Sequence, residues 1–359
     1  MVLPKKSIAN LYRTQSPETT RLDMLRLDKN ENITGMDPGL VEKARAMIDS
    51  NFITAYPEPY TLYKKISKTF GIDENMLYLS AGSDAAIKSI FEVFVGEGEE
   101  IVIPHPTYAM YYVYPEMFGA GIKKVGYEKD FSFDVEKFKQ AITEKTSLVC
   151  IANPNSPTGT IIEEKELLDI IRHAGQKGAL VLVDEAYYPY YPHSIIKHVN
   201  EFDNLIVSRT FSKAYGLASA RLGLAVSNPK LIGLLKKVRP LYEVNSYAVM
   251  MGNLVLDNPQ VLERNLREYT EGKAHLVESL KKMGLKYYEG YANFVSMDMG
   301  SQQRAERVGQ ELEKLGVLVK STFKDVPLAN HVRASIGSKE QMEQFVQKLR
   351  IAIKNVDGK

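Results

Sequence analysis

From about residue 75 to residue 235, short apolar runs rich in β-branched residues alternate with longer amphipathic stretches. This alternation constrains the fold more than any other feature of the sequence. Strands are predicted over residues 101–103, 123–127, 148–152, 179–184, 205–209 and 222–227, with helices over 85–94, 135–142, 163–177 and 230–238. The strands read as solid apolar runs, the pattern of a sheet covered on both faces. Strand–helix alternation implies βαβ units and a mainly parallel sheet, hence an α/β class. After Pro240 the order changes. A long helix is predicted over 259–283, then a strand at 294–297, a helix at 304–315, strands at 317–320 and 332–336, and a last helix from Lys339. That mixture suggests a smaller α+β domain. The reading divides the chain into an N-terminal arm (1–37), a large domain (38–250) and a small C-terminal domain (251–359).

Two domains also suit 359 residues that are 44% hydrophobic and 25% charged. The formal charge of +2 offers no large field for nucleic acid or anionic lipid. Apolar runs such as residues 179–183 fall far short of the ~20 residues a membrane helix needs. The first residues, MVLPKKSIANLYRTQS, contain no apolar signal segment. The single Cys150, in the run Leu148-Val149-Cys150-Ile151-Ala152, is expected to be a buried small hydrophobe, and the compartment a reducing cytosol.

In such a sheet, ligands bind beyond the carboxyl ends of the strands. Four strand ends carry informative side chains. Ser80-Ala81-Gly82-Ser83-Asp84 leads into a helix, either as a plain N-cap or as a cradle of N–H groups for a phosphate. Asn153-Pro154-Asn155-Ser156-Pro157-Thr158-Gly159 is a rigid turn in which Asn155 is a candidate donor into the crevice. Asp184-Glu185-Ala186-Tyr187 ends a buried strand with a carboxylate, either salt-bridged or awaiting a cationic ligand. Thr210-Phe211-Ser212-Lys213, with Arg221 following, offers either a solvated lysine or a nucleophilic amine whose cationic neighbours lower its pKa.

Taken in order, these segments resemble fold-type-I pyridoxal-phosphate enzymes, most closely the histidinol-phosphate aminotransferase family. The resemblance extends to Leu27-Asp28-Lys29-Asn30-Glu31-Asn32, Tyr56-Pro57-Glu58, Pro106-Thr107-Tyr108, Ala292-Asn293-Phe294 and Val332-Arg333. It implies a seven-stranded, mainly parallel sheet flanked by helices, plus a small α+β domain. It further implies Lys213 as the Schiff-base lysine and proton shuttle, with pyridoxal 5'-phosphate as cofactor and no metal. Asp184 would pair with the protonated ring nitrogen. Asn155 and Tyr187 would hydrogen-bond the ring oxygen, and Tyr108 would stack on the ring. Gly82, Ser83, Asp84, Thr210, Ser212 and Arg221 would hold the phosphate. Arg333 would clamp the substrate carboxylate bidentately. Tyr56 would reach the neighbouring subunit's cofactor, which implies a homodimer with shared sites.

Substrate recognition departs from the family pattern. The family's N-terminal Pro-Tyr pair is missing from Leu11-Tyr12-Arg13-Thr14-Gln15-Ser16. Lys320 stands where the family has an arginine, a point charge in place of a planar fork. The segment Leu241-Tyr242-Glu243-Val244-Asn245 introduces an acid. The leading expectation is an aminotransferase that moves an amino group from an amino acid such as glutamate to a keto acid or a keto or aldehyde phosphate. The alternatives are a decarboxylase of a phosphorylated amino acid and a ligand-sensing module. The sensing module would need a basic DNA-binding segment ahead of Leu27, and none is read there.

Overall fold

The fold was analysed in a computed structural model, which describes residues 3–9, 11 and 21–358. Tyr12, Arg13, Thr14, Gln15 and Ser16 lie outside the described residues. The chain begins its sheets with a two-residue strand, β1 (Leu25–Arg26). Seven strands follow: β2 (Leu77–Ser80), β3 (Glu100–His105), β4 (Gly121–Gly126), β5 (Thr146–Ala152), β6 (Leu180–Asp184), β7 (Leu205–Thr210) and β8 (Gly223–Ser227). They form one sheet in the order β2-β8-β7-β6-β5-β3-β4. Only β8 runs antiparallel to its neighbours.

Every residue of β6 is buried, which is why this strand reads as a solid apolar run. Successive side chains of a strand point to opposite faces. Val181 and Val183 therefore enter one hydrophobic core together with Val149, Ile151 and Val207. Leu180 and Leu182 enter the other with Leu148, Cys150 and Ile206. Cys150 is fully buried, as its surroundings in the sequence suggest.

The flanking helices carry their own start signals. Asn228 accepts the Leu231 N–H ahead of a helix that opens with Pro229, and Ser338 with Gln341 forms a capping box. The small domain is built on β9 (Tyr287–Tyr288), β10 (Phe294–Asp298), β11 (Val317–Leu318) and β12 (His331–Ser335). The order β12-β10-β9 forms an antiparallel sheet, while β11 pairs in parallel with β1 instead. Leu27, just after β1, is fully buried in the small-domain core. Residues 319–320 were expected to continue a strand. Lys320 instead makes a single antiparallel bridge to Arg333.

At one contact between the two domains, backbones meet with no side chain between them. A Cβ on Gly159 would lie 3.2 Å from the Gly290 Cα, and the Tyr291 N–H donates to the Gly159 carbonyl at 2.8 Å. A second contact is aromatic. Phe131 stacks on Tyr288 with ring centroids 4.1 Å apart and meets His331 edge-on.

Beside the sheet ends, Glu185 and Arg209 form a buried ion pair. Arg209 donates from Nε (3.0 Å) and Nη2 (2.9 Å) to Glu185 Oε2, and Ser194 and the Ile195 N–H supply Glu185 with further donors. The guanidinium lies 3.6 Å from the Tyr188 ring centroid. Removing one member of such a pair strands a buried charge. Arg209→Met is expected to destabilise the protein by about 3–5 kcal/mol, whereas Lys177→Ala, which breaks a more exposed pair with Glu144, should cost under about 1 kcal/mol. Midpoints of urea unfolding for the two variants check this contrast.

Candidate active site

The carboxyl ends of β5, β6 and β7 open into a cavity of about 330 Å³. Its lining unites Ser83, Asp84, Tyr108, Asp184, Tyr187, Thr210, Ser212, Lys213, Arg221 and Arg333, all of which the sequence had nominated. Lys29, Asn30 and Ser156 complete the polar wall.

Lys213 follows β7 and points its Nζ at the Lys29 carbonyl, 2.8 Å away. Burial, followed by the charges of Arg333 and Arg221, lowers its pKa from the usual 10.5 to about 8. Asp184 ends β6 and accepts from Ser208 Oγ at 2.8 Å and Tyr111 Oη at 3.4 Å. Ser208 is its register partner on β7. Burial pushes the Asp184 carboxyl up to about 6, although the two hydroxyl donors oppose the rise. Among the described residues it has no cation within ion-pair distance. A buried carboxylate in this state favours a ligand that brings positive charge.

Arg333, on β12, is the opposite case. It is buried, its guanidinium stacks 4.7 Å from the Phe294 centroid, and Nη2 donates to the Asp28 carbonyl at 2.9 Å. Its Nε has no hydrogen-bond partner, and no carboxylate pairs with it among the described residues. Nη1 makes only a long 3.5 Å contact to Ser156 Oγ, so this cavity-lining guanidinium retains donor capacity for an anionic ligand.

The third element is the start of the helix Ser83–Phe94. Its N-cap is Gly82 at φ 80°, with no side-chain cap, so the plain-cap reading of Ser83 or Asp84 does not hold here. A Cβ at Gly82 would lie 2.4 Å from Arg221 Nη2, and one at Gly223 would lie 2.1 Å from the Ser83 nitrogen. Only glycine permits this approach of β8, the helix N-terminus and Arg221. Arg221 donates to Ser212 Oγ at 3.4 Å, and Thr210 Oγ1 accepts the Ser212 N–H at 3.1 Å. Free N–H groups, two hydroxyls and a guanidinium around one spot suit a phosphate.

Other nominated residues lie elsewhere. Asn155 is buried behind the cavity wall, where Oδ1 accepts from Thr107 and Nδ2 donates to the Pro106 carbonyl and to Thr158. Both of its amide hydrogens are thus used within the protein. Tyr56 is 72% exposed and stacks on Tyr242, with centroids 4.2 Å apart. Lys320 donates to Thr322 Oγ1 and lines an adjoining cavity of about 600 Å³ with Lys124 and Lys324. The two cavities share Tyr108, Ser156 and Arg333. Glu243 points away from both, towards Tyr63 and Arg239. Tyr111, Ser208 and Asn30 were not nominated. Tyr111 follows Tyr108 by three residues, and Ser208 sits beside Asp184 across the β6–β7 register, but neither signal can be read before the strands are paired.

The sequence matches the family model for aminotransferase class I and II over residues 23–349, and the chain belongs to this family. It is accordingly an enzyme that transfers amino groups. It is 36% identical over 352 residues to the histidinol-phosphate aminotransferase of Methanocaldococcus jannaschii, covering 96% of this chain and 91% of that one. It is 34% identical to the enzyme of the same name from Clostridium novyi, covering 88% of each. The fold is shared with the Sinorhizobium meliloti histidinol-phosphate aminotransferase solved with pyridoxal-5'-phosphate (TM-score 0.86, 23% identity, 92% and 91% covered). It is also shared with the aspartate aminotransferase of Thermus thermophilus with maleate (TM-score 0.77, 21% identity, 92% of each covered). No helix among the described residues is long and apolar enough to cross a membrane.

The lowered proton affinity of Lys213 has a direct consequence. Its amine is neutral and nucleophilic above pH 8, whereas an ordinary lysine stays protonated to near 10.5. Among the lysines, modification of the cofactor-free protein by trinitrobenzenesulfonate should therefore be fastest at Lys213 and half-maximal near pH 8. Peptide mass mapping, with Lys213→Arg as the control, reads the result.

Proposed function

We propose that this aminotransferase uses pyridoxal 5'-phosphate held at Lys213, and that it exchanges an amino group between an amino acid such as glutamate and a phosphate-bearing substrate of the histidinol-phosphate class. One observation carries the reading. A nucleophilic amine, a buried carboxylate without a counter-ion and a buried guanidinium without a counter-ion line one cavity. A ligand that brings a ring cation to Asp184 and a carboxylate or phosphate to Arg333 satisfies both charges.

When bound, the cofactor supplies a pyridinium ring that accepts electron density as a bond at the substrate α-carbon breaks. Asp184 keeps that ring nitrogen protonated. Its carboxylate is held in place by Ser208 and Tyr111, and burial strengthens its pairing with a cation. Ser83, Thr210, Ser212 and Arg221 bind the cofactor phosphate at the uncapped helix start. Tyr187 would donate to the ring oxygen and Tyr108 would pack on the ring, both side chains lining the same cavity. Asn155 supports the turn behind them, its amide satisfied by Pro106, Thr107 and Thr158. Arg333 orients the substrate. Lys213, once its amine is free, carries the proton to and from the α-carbon.

The adjoining cavity supports a place for the substrate tail. Its lining carries Lys124, Lys320 and Lys324 against a single carboxylate, Asp325, so the space beyond Tyr108 and Arg333 is net positive. Lys320 is tied to Arg333 through paired backbone hydrogen bonds of 3.0 and 2.8 Å. The names of the most similar relatives, and their identity over nearly the whole chain, support a phosphorylated substrate.

The exposed Tyr56–Tyr242 stack, with Ile53, Tyr60 and Leu241 also exposed, supports a second copy of the chain as partner. In that reading Tyr56 reaches the neighbouring cofactor.

Two measurements test these readings. Adding glutamate or histidinol phosphate singly to the loaded enzyme should convert the visible band to that of the amine form of the cofactor. Lys320→Ala should raise KM for histidinol phosphate about tenfold or more, since a charged contact is lost, and leave that for glutamate unchanged. Carbon dioxide release without conversion would favour decarboxylation instead. For the assembly, Leu241→Glu should move the sedimentation coefficient from dimer towards monomer at micromolar concentration.

A further inference from the structure

The segment Asp28-Lys29-Asn30 crosses the mouth of the cavity, and each of its residues engages a different side chain of the site. The Asp28 carbonyl takes Arg333, the Lys29 carbonyl takes Lys213, and Asn30 Nδ2 donates to Tyr187 Oη at 2.8 Å. Asn30 is itself buried and held on several sides. Its N–H donates to Ser335 Oγ at 2.9 Å, and the one hydrogen of that hydroxyl is shared between the Leu27 carbonyl at 2.9 Å and Asn30 Oδ1 at 3.2 Å. Its carbonyl accepts from Asn293 Nδ2 at 3.2 Å. Its backbone is left-handed, φ 57°, a conformation that asparagine tolerates.

We propose that Asn30 is a positioning residue that fixes the direction of the Tyr187 hydrogen bond and ties it to the small domain. The inference rests on the reading that Tyr187 faces the bound cofactor's ring oxygen. With Oδ1 beside Ser335, the amide presents only hydrogens to Tyr187. The tyrosine oxygen is thereby engaged as an acceptor, and its own hydrogen turns away from Asn30, towards the cavity side, where Ser156 is its other side-chain partner. A hydroxyl held in that sense donates to an oxyanion and stabilises it. Ser335 and Arg333 are two residues apart on β12 and so share a face. The strand that binds the substrate's anionic group therefore also anchors the amide that aims Tyr187.

The test uses the enzyme loaded with pyridoxal 5'-phosphate and reads its visible absorbance against pH. Asn30→Asp preserves size and backbone tolerance but presents a carboxylate, which captures the Tyr187 hydrogen. Asn30→Gly keeps the left-handed backbone and deletes the amide. Both should shift the spectral midpoint upward, by about one pH unit for Asn30→Asp and less for Asn30→Gly. In both, kcat should fall about tenfold or less while KM for the amino donor holds. Tyr187→Phe provides the reference shift. If Tyr187→Phe moves the midpoint while both Asn30 variants titrate like the unmodified protein, Asn30 is only a strut and the proposal is overturned. If Tyr187→Phe leaves the midpoint unmoved, the placement of Tyr187 against the cofactor is wrong, and the proposal falls with it. Should Asn30→Asp fail to fold, Asn30→Gly carries the test alone.

Discussion

A sheet that is apolar on both faces can carry charge only where its strands end, and this constraint organises the molecule. The side chains of β5, β6 and β7 fill two cores, one on each face. Their carboxyl ends are the first places where Asp184 and Lys213 can stand. Even there the surroundings are dry enough to push the carboxyl up and the amine down. The cost of keeping these charges, together with Arg333, away from full hydration is offset only when a ligand of complementary charge arrives. The contrast with Glu185 is instructive. One residue beyond Asp184, it is equally buried, yet it is matched by Arg209, Ser194 and a backbone N–H. Two adjacent acids thus differ: Glu185 is matched by a cation within the fold, and Asp184, among the described residues, is not.

The solid apolar runs made the central strands legible to within a residue or two, because they are short, rich in β-branched residues and bounded by turns, as strands buried on both faces are. The elements that escaped did so for physical reasons. β2 is only four residues long. The helix Met110–Phe118 carries Pro115 in its interior, and Ser246–Asp257 is apolar on most of its surface, so neither shows a polar stripe. Most of the cavity's polar residues were legible because they stand directly after strands. Asn30 was not, since it meets Tyr187 across 157 residues of sequence, and that meeting depends on how the two domains close. The placement of Asn155 was also hidden. Nothing in the turn sequence reveals that Thr107 and Thr158 will consume its amide.

The small domain contributes more than a lid. β1 joins β11, Leu27 enters its core, and the next three residues pass directly over the cavity. One continuous stretch thus links the packing of the small domain to Lys213, Arg333 and Tyr187. Residues from opposite ends of the sequence, Asp28 and Arg333, act together because both are fastened to the same three-stranded layer.

The seam at Gly159 and Gly290 sets how closely these parts approach. Interlocked side chains must unpack before two bodies slide, and each unpacked methylene adds to the barrier. Here main chain rests on main chain with one short hydrogen bond across it, and the Phe294 ring packs beside Gly159. Any bulk added to either glycine would act as a wedge and hold the crevice ajar.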